Sequence, residues 1–228
     1  MKKKILVFMM LIVSVFSLTA CGKSKINLAD YLIEERNTLF TANDELYSAT
    51  LSSGLREKDY NFNGVVDEKV DFAILTLSRN DNQPLANDTY IFIVTVNGNA
   101  HTGFLEKNET NNSYSTDVGI KVANTDEVSV QISFTGYTFN QALINTSSSF
   151  SVDTSTAIDI ANKELKEELK NITSDKNVKI EAVMKILKDN SNTELQNYYW
   201  YVGVISTNGE TLGILIDANS GNIIAKKV

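Results

Sequence analysis

Residues 198–217 read YYWYVGVISTNGETLGILID, and this stretch decides how the C-terminal part of the chain folds. Two runs rich in aromatic and β-branched residues flank Asn208-Gly209. An Asn-Gly pair between two such runs is the strongest short-range signal for a β-hairpin, because both residues accept the positive φ of a type I′ turn. We therefore predict antiparallel strands over 198–206 and 211–217.

Alternation along the first of these strands divides its side chains into two sets. Successive side chains point to opposite faces of a sheet, so Trp200, Val202 and Val204 share one face, and Tyr199 and Tyr201 share the other. The first face fits best beneath a helix. We therefore predict that Tyr199 and Tyr201 lie on an open face as candidate binding residues, because tyrosine is enriched at protein interfaces.

The helix comes upstream of the hairpin. Residues at helical spacing form an apolar stripe that consists of Ile158, Ala161, Leu165, Leu169 and Ile172. Further strands are predicted over 178–187 and 222–225, with Ser220-Gly221 as the last turn.

Residues 154–228 resemble a PepSY domain. The resemblance rests on Ala157 and Ala161 of the helix, the strand WYVGV at 200–204, and the ending LIDANSGNII at 215–224. It implies a small α+β domain in which a helix packs on an antiparallel sheet. Such domains occur in bacterial envelope proteins and peptidase propeptides and are proposed to restrain peptidases. The family carries no catalytic residues.

A different pattern fills residues 28–150. We predict a short leading helix over 28–40, because Leu28, Tyr31, Leu32 and Leu39 recur near helical spacing. Short strands separated by Asn-rich turns follow, at 70–77, 90–96, 103–105, 114–122, 128–134 and 150–152. Such strands predict an all-β sandwich of immunoglobulin-like architecture. The predicted fold class is thus two domains, a β-sandwich over 28–150 and an α+β PepSY-like domain over 151–228.

The N-terminus has the layout of an export signal. Lys2, Lys3 and Lys4 precede an apolar run over 5–16, and the run leads to Leu18-Thr19-Ala20-Cys21. The pattern resembles the lipobox of bacterial lipoproteins, in which the cysteine thiol is acylated. It predicts a signal peptide over 1–20, a lipid on Cys21, a short tether over 21–27, and a location on the outer face of the cytoplasmic membrane.

Composition limits the possible functions. The 228-residue chain has a net charge of −7, and loss of the three signal-peptide lysines lowers it to −10. Such an acidic protein lacks the basic surface that nucleic-acid binding requires. Because Cys21 is the only cysteine, the chain cannot form an intramolecular disulfide.

Candidate catalytic and metal-binding residues are few. His101 is the only histidine and follows an Asn-Gly-Asn turn, so we interpret it as an exposed loop residue rather than part of a catalytic triad. The spacing of Asp59, Asn61, Asn63 and Asp67 is that of a calcium-binding loop with Gly64 at its sixth position. Position 12 is Val70 instead of the bidentate glutamate, so we interpret the stretch as a turn and expect no metal and no cofactor.

Two functions remain after these exclusions. The first is a non-enzymatic lipoprotein whose PepSY-like domain binds or restrains an envelope peptidase or a peptide. The alternative is a surface adhesion or ligand-binding protein that uses its β-sandwich to contact carbohydrate, matrix or a partner. The membrane is a partner in both cases, through the lipid on Cys21.

The lipobox generates the first testable prediction. We expect Cys21→Ser to release the protein from the membrane or to leave its precursor unprocessed, because serine offers no thiol for acylation. Membrane fractionation with metabolic lipid labelling measures the effect. Labelled, membrane-bound Cys21→Ser protein of the mature size would contradict the prediction.

Overall fold

The computed structural model describes residues 26–108, 111–189 and 197–228, so Cys21, the predicted signal peptide and most of the predicted tether lie outside the described residues. A 3-10 turn over Leu28–Tyr31 leads into twelve strands. The strands are β1 Leu32–Asn43, β2 Tyr47–Glu57, β3 Lys69–Arg79, β4 Tyr90–Val96, β5 Asn99–Lys107, β6 Ser113–Asp117, β7 Val128–Phe134, β8 Tyr137–Asn145, β9 Ile180–Lys188, β10 Tyr198–Ser206, β11 Thr211–Asp217 and β12 Ile223–Lys227. Between β8 and β9 lie a 3-10 turn over Ser147–Ser149 and two short helices, α1 Thr154–Glu164 and α2 Lys166–Ile172.

The first eight strands close into a barrel. Their order is β1-β2-β3-β6-β5-β4-β7-β8, and β8 returns to pair with β1 at Phe40 and Thr41. The predicted immunoglobulin-like sandwich is therefore wrong, because one closed sheet surrounds the core. Strand composition and turn spacing are similar in sandwiches and barrels, and only the β1–β8 pairing distinguishes them.

The last four strands extend the same sheet. β9 runs parallel to β1 and pairs with it from Leu32 to Arg36, and β10, β11 and β12 follow in antiparallel order. The predicted α+β PepSY-like domain is also wrong. The protein is mostly β, with two short helices among the described residues, and the C-terminal strands continue the sheet of the barrel.

The predicted helix over 28–40 is a third correction. Only Leu28–Tyr31 is helical, as a single 3-10 turn, and strand β1 follows directly. Leu39 packs into the C-terminal core, and its neighbour Phe40 packs into the barrel core. A strand that is buried on both faces shows no simple alternation, and its clustered apolar residues imitate helical spacing.

The hairpin that opened the sequence argument is confirmed. β10 and β11 span the predicted residues, and Gly209 in their turn has φ +87°. The turn is not the predicted two-residue type I′ turn, because Asn208 lacks a positive φ and the last paired residues are Ile205 and Thr211. Strand β8 lies in a region for which no strand was predicted, and residues 150–152 form none. The predicted boundary near residue 150 falls just after the 3-10 turn over Ser147–Ser149.

Two hydrophobic cores meet at β1. The barrel core contains Phe40, Leu51, Leu75, Val94 and Phe139. The C-terminal core lies between the helices and β9–β11 and also includes Leu28 and Leu32 from the beginning of the described chain. In the described parts of the chain, no helix has the length and apolar character that crossing a bilayer would require.

Strand β1 also bends where the two cores meet. Its pairing with β2 shifts between Arg36 and Thr38, which leaves Asn37 as an extra residue in a β-bulge. Gly54 pairs with Arg36 beside this bulge, and a Cβ atom built on Gly54 would overlap the backbone carbonyl of Glu35. Only glycine therefore allows the two backbones to approach this closely.

We expect Gly54→Ala to destabilise the protein by about 3 kcal/mol or more, because the backbone of β1 must move to relieve the overlap. Gly213→Ala is the matched control, since that strand glycine has its nearest neighbour, Tyr201, 3.4 Å from the added Cβ. Urea unfolding of the two variants measures the difference. Equal midpoints would show that β1 can shift freely.

Candidate functional site

The two faces of β10 have the environments that the alternation predicts. Trp200 is 2% exposed in the C-terminal core, and its indole N–H donates to the carbonyl oxygen of Val152 at 2.9 Å. Val202 and Val204 are buried beside it. Tyr199 and Tyr201 lie on the opposite face and are half-buried. We call this opposite side the open face and define it by Val183, Lys185, Leu187, Tyr199, Tyr201 and Gly203.

Tyr201 lies flat along the open face. A Cβ atom on Gly203 would come within 2.6 Å of the Tyr201 hydroxyl oxygen, so the missing side chain makes room for the ring. The ammonium group of Lys185 is 5.5 Å from the centre of this ring, within cation–π range. Burial, followed by the nearby charge of Arg36, lowers the pKa of Lys185. The Lys185 amine is thus a partly desolvated cation beside an aromatic ring.

Tyr199 lies one step further along the same face. Its hydroxyl donates to Asp189 Oδ2 at 3.2 Å. Burial, and then the negative charge of Asp189, raises the pKa of the Tyr199 phenol. The ring is therefore held by a contact within the protein, and only part of it faces solvent.

A polar groove of 910 Å³ adjoins the open face. It lies between the outer wall of β1–β3 and the last residues of β9, where Lys185 and Leu187 belong to both the groove and the open face. Its volume lies within the range of small-molecule and peptide sites. Sequence reasoning missed this groove, because its two walls come from segments more than 100 residues apart.

Short polar side chains form rows on the barrel wall of the groove. The strand registers place Thr50 of β2 opposite Thr76 of β3, and Ser48 opposite Ser78. These side chains face outward, since they alternate with Ala49, Leu51, Leu75 and Leu77 of the barrel core. The Ser52 hydroxyl oxygen at the same wall is buried and has no hydrogen-bond partner among the described residues. Thr50, Thr76 and Ser78 are half-buried, so their hydroxyl groups can contact a polar ligand, whereas the buried Ser48 hydroxyl donates to Asn43 Oδ1 at 2.9 Å.

The groove also carries a set of charged side chains, which are Arg36, Asp44, Arg79, Lys185, Lys188 and Asp189. The two arginines are paired within the protein, Arg36 with Glu34 and Arg79 with Asp81, each at 2.6 Å. Cationic groups outnumber carboxylates by four to two in this lining. Glu34 and Asp81 neutralise these two arginines, so the charges in and beside the lining balance. Lys185 and Lys188 are the cations of the groove that can contact a negative group of a ligand.

The loop with the spacing of a calcium-binding loop lies between β2 and β3, and the carboxylate of Glu181 binds its backbone. Glu181 Oε1 of β9 accepts the backbone N–H groups of Asn63 and Gly64, both at 2.9 Å. Gly64 has φ +70°, and two successive N–H groups in such a turn form a concavity that binds anions. The Asn63 Oδ1 atom accepts the backbone N–H of Val65 at 2.7 Å, so one of the oxygens that would bind calcium is already hydrogen-bonded within the loop.

A second carboxylate fixes the other side of this loop. Glu57 Oε1 accepts the backbone N–H of Asp67 at 2.8 Å. Glu57 and Glu181 are 5% and 1% exposed, and the Oε2 atom of each is buried without a hydrogen-bond partner in the described residues. Burial, and then the charges of Glu181 and Glu57, raises the pKa of Tyr60 beside them. The loop is thus shaped by two buried carboxylates that sequence spacing does not identify.

The remaining candidates do not join this arrangement. Asp59, Asn61 and Asp67 have exposed side chains, and no three His, Cys, Asp or Glu side chains within the described ranges are grouped as metal ligands. His101 lies within β5 opposite Val94 and is half-buried, so its interpretation as an exposed loop residue is wrong. Cys21 lies outside the described residues.

No protein-family model, curated protein or solved structure matches this chain.

The two faces of β10 generate a stability prediction. We expect Trp200→Ala to cost about 3–5 kcal/mol of folding free energy, because it empties a packed core site. We expect Tyr201→Ala to cost roughly 1–2 kcal/mol, since the ring is only half-buried. Chemical unfolding with circular dichroism compares them. Equal losses would mean that Tyr201 is a core residue and that the open face is not available for binding.

Proposed function

We propose that this chain is a non-enzymatic, lipid-anchored extracytoplasmic protein that binds a polypeptide partner in the polar groove and along the open face. The observation that carries the proposal is the groove itself, with its hydroxyl-bearing wall and its two lysines, Lys185 and Lys188, beside two half-buried tyrosines. The lipobox at Leu18-Thr19-Ala20-Cys21 supports the anchor and the location on the outer side of the membrane.

The position of the groove suits an anchored binding protein. The described chain begins beside the start of β1, and the groove lining includes Asn43 and Asp44 at the other end of that strand. Twelve residues of strand span about 35–40 Å at ~3.3 Å per residue. A protein held at its N-terminus would therefore present the groove away from the lipid surface, where a partner can reach it.

The chemistry of the site supports a polypeptide with acidic groups. Lys185 and Lys188 can pair with carboxylates, and Tyr199 and Tyr201 supply aromatic area with a polar end, as tyrosines at protein interfaces do. An envelope peptidase or a peptide fits this description. The support comes from the groove and the open face, not from a PepSY-like domain.

A glycan is the second candidate. The observation that favours it is the density of hydroxyl and amide side chains in the groove lining, namely Asn43, Ser48, Thr50, Ser52, Thr76, Ser78, Asn80 and Asn82. Such groups form the short, directional hydrogen bonds that sugar hydroxyls require.

The test is to place a photo-crosslinking amino acid at Thr76 in the groove and, as a matched control, at Phe104 on the barrel surface. Phe104 is 62% exposed and lies outside the groove lining. We expect irradiation of intact cells to give a discrete protein adduct from position 76 and not from position 104. The same adducts from both positions, or none from position 76, would overturn the polypeptide proposal.

The glycan alternative is tested in parallel with Thr76→Tyr, which narrows the groove, and Ile144→Tyr, which changes a side chain that is 74% exposed elsewhere. The second candidate would be favoured if the binding signal on a glycan array falls at least tenfold in Thr76→Tyr and is unchanged in Ile144→Tyr. Array binding that both variants keep would place the glycan outside the groove.

A further inference from the structure

The loop between β2 and β3 is held by the buried carboxylates of Glu57 and Glu181 and carries exposed apolar side chains. Tyr60, Phe62 and Val65 are 63%, 37% and 57% exposed, although they lie within six residues of one another. Single exposed apolar residues are common on protein surfaces, whereas a group of large ones indicates a binding surface. We call these three side chains the loop tip.

The loop tip is held in place by contacts that are costly to maintain. Glu181 and Glu57 hold Asn63, Gly64 and Asp67 through backbone hydrogen bonds, and each leaves one carboxylate oxygen buried without a partner. Burial of an unpartnered carboxylate oxygen costs free energy. These hydrogen bonds fix the loop backbone. Phe62 and Val65 are exposed on it, whereas the Tyr60 hydroxyl is directed toward Glu181 and its ring keeps 63% of the residue exposed.

The loop tip lies at the end of the molecule where the chain enters. Glu34 near the start of β1 pairs with Arg56 at the end of β2, immediately before the loop. Leu32 pairs with Ala182 near the start of β9, next to Glu181. The first residues of β1, the loop and the first residues of β9 therefore share one end of the sheet.

The entering chain is also fixed to the body. Asn162 Oδ1 accepts the backbone N–H of Leu28 at 2.8 Å, and Asn162 Nδ2 donates to Asn27 Oδ1 at 3.0 Å. Leu28 is fully buried. From Ile26 back to Cys21 is five residues, which reach at most about 18 Å at ~3.6 Å each. An acylated Cys21 would thus hold Ile26, where the chain enters this end of the sheet, within about 18 Å of the lipid.

We infer that the loop tip inserts into the headgroup region of the membrane that carries the lipid anchor. The inference rests on the proposed anchoring at Cys21. The surface that the loop tip contacts is a lipid bilayer, because the short tether brings this end of the protein close to one. Tyrosine and phenylalanine side chains also partition well into the membrane–water interface. Insertion at a second point would fix the tilt of the protein and direct the groove outward.

The acidic side chains around the tip determine the lipid to be used in a test. Asp59, Asp67 and Glu68 surround the loop tip and are exposed, so an anionic surface would repel them. A zwitterionic bilayer removes this repulsion and isolates the apolar contribution. Vesicles of phosphatidylcholine with brominated acyl chains are therefore the probe, because bromine quenches tryptophan fluorescence at short range.

The experiment uses the mature, acylated protein reconstituted into these vesicles. Phe62→Trp places a reporter in the loop tip, and Ile144→Trp is the matched control, 74% exposed on β8 opposite Thr41 at the far end of β1. The natural Trp200 is buried and provides the background signal. We expect brominated lipid to reduce the added emission of Phe62→Trp at least twofold and to leave that of Ile144→Trp unchanged. If Phe62→Trp fails to fold, Val65→Trp takes its place.

Flotation of the same vesicles separates this inference from the proposed function. Wild-type protein that fails to float with the vesicles would overturn the anchor, and the inference with it. Protein that floats while position 62 or 65 is no more quenched than position 144 would overturn the insertion of the loop tip and leave the anchor in place.

Discussion

Strand β1 is the element on which the rest of this structure depends. Its one edge pairs with β2 from Glu34 to Asn43. Its other edge is divided, with β9 beside Leu32–Arg36 and β8 beside Phe40 and Thr41. Each strand has only two edges, so the barrel and its extension can share β1 only because they pair with different segments of it. The bulge at Asn37 lies where the two segments meet.

The junction is completed by hydrogen bonds with Thr146, Ser147 and Asn124, which lie outside the neighbouring strands. The Ser147 hydroxyl accepts the N–H of Leu39 at 3.0 Å, and the Leu39 carbonyl accepts the N–H of Thr146 at 2.8 Å. The Thr38 hydroxyl donates to Asn124 Oδ1 at 3.1 Å. Backbone groups of β1 that neither neighbouring strand reaches are satisfied in this way, as buried polar groups require. Thr146 and Ser147, just before the predicted domain boundary, are therefore docked on β1.

This shared strand also arranges the functional surfaces. The end of β1 that begins the described chain lies beside the loop held by Glu57 and Glu181, and the opposite end lies beside the groove. The groove exists because β9 leaves β1 after Lys185, while the barrel wall continues along β2 and β3. The entry of the described chain, the loop tip and the groove thus follow one axis, and the direction of β1 sets their order.

The sequence by itself determined the features that depend on neighbours along the chain. Asn208-Gly209 between β-rich runs specified the β10–β11 hairpin, and the two-residue alternation placed Trp200 inward and Tyr199 and Tyr201 outward. The apolar stripe from Ile158 to Ile172 marked the helical region, which the structure divides at Leu165. Only the tertiary structure decided that β8 closes a barrel on β1, that β9 extends the sheet, and that Glu181 holds a loop 118 residues earlier in the chain. The reason is physical: turn propensity and side-chain alternation act over a few residues, whereas strand pairing and buried hydrogen bonds join groups that are close only after the chain has folded.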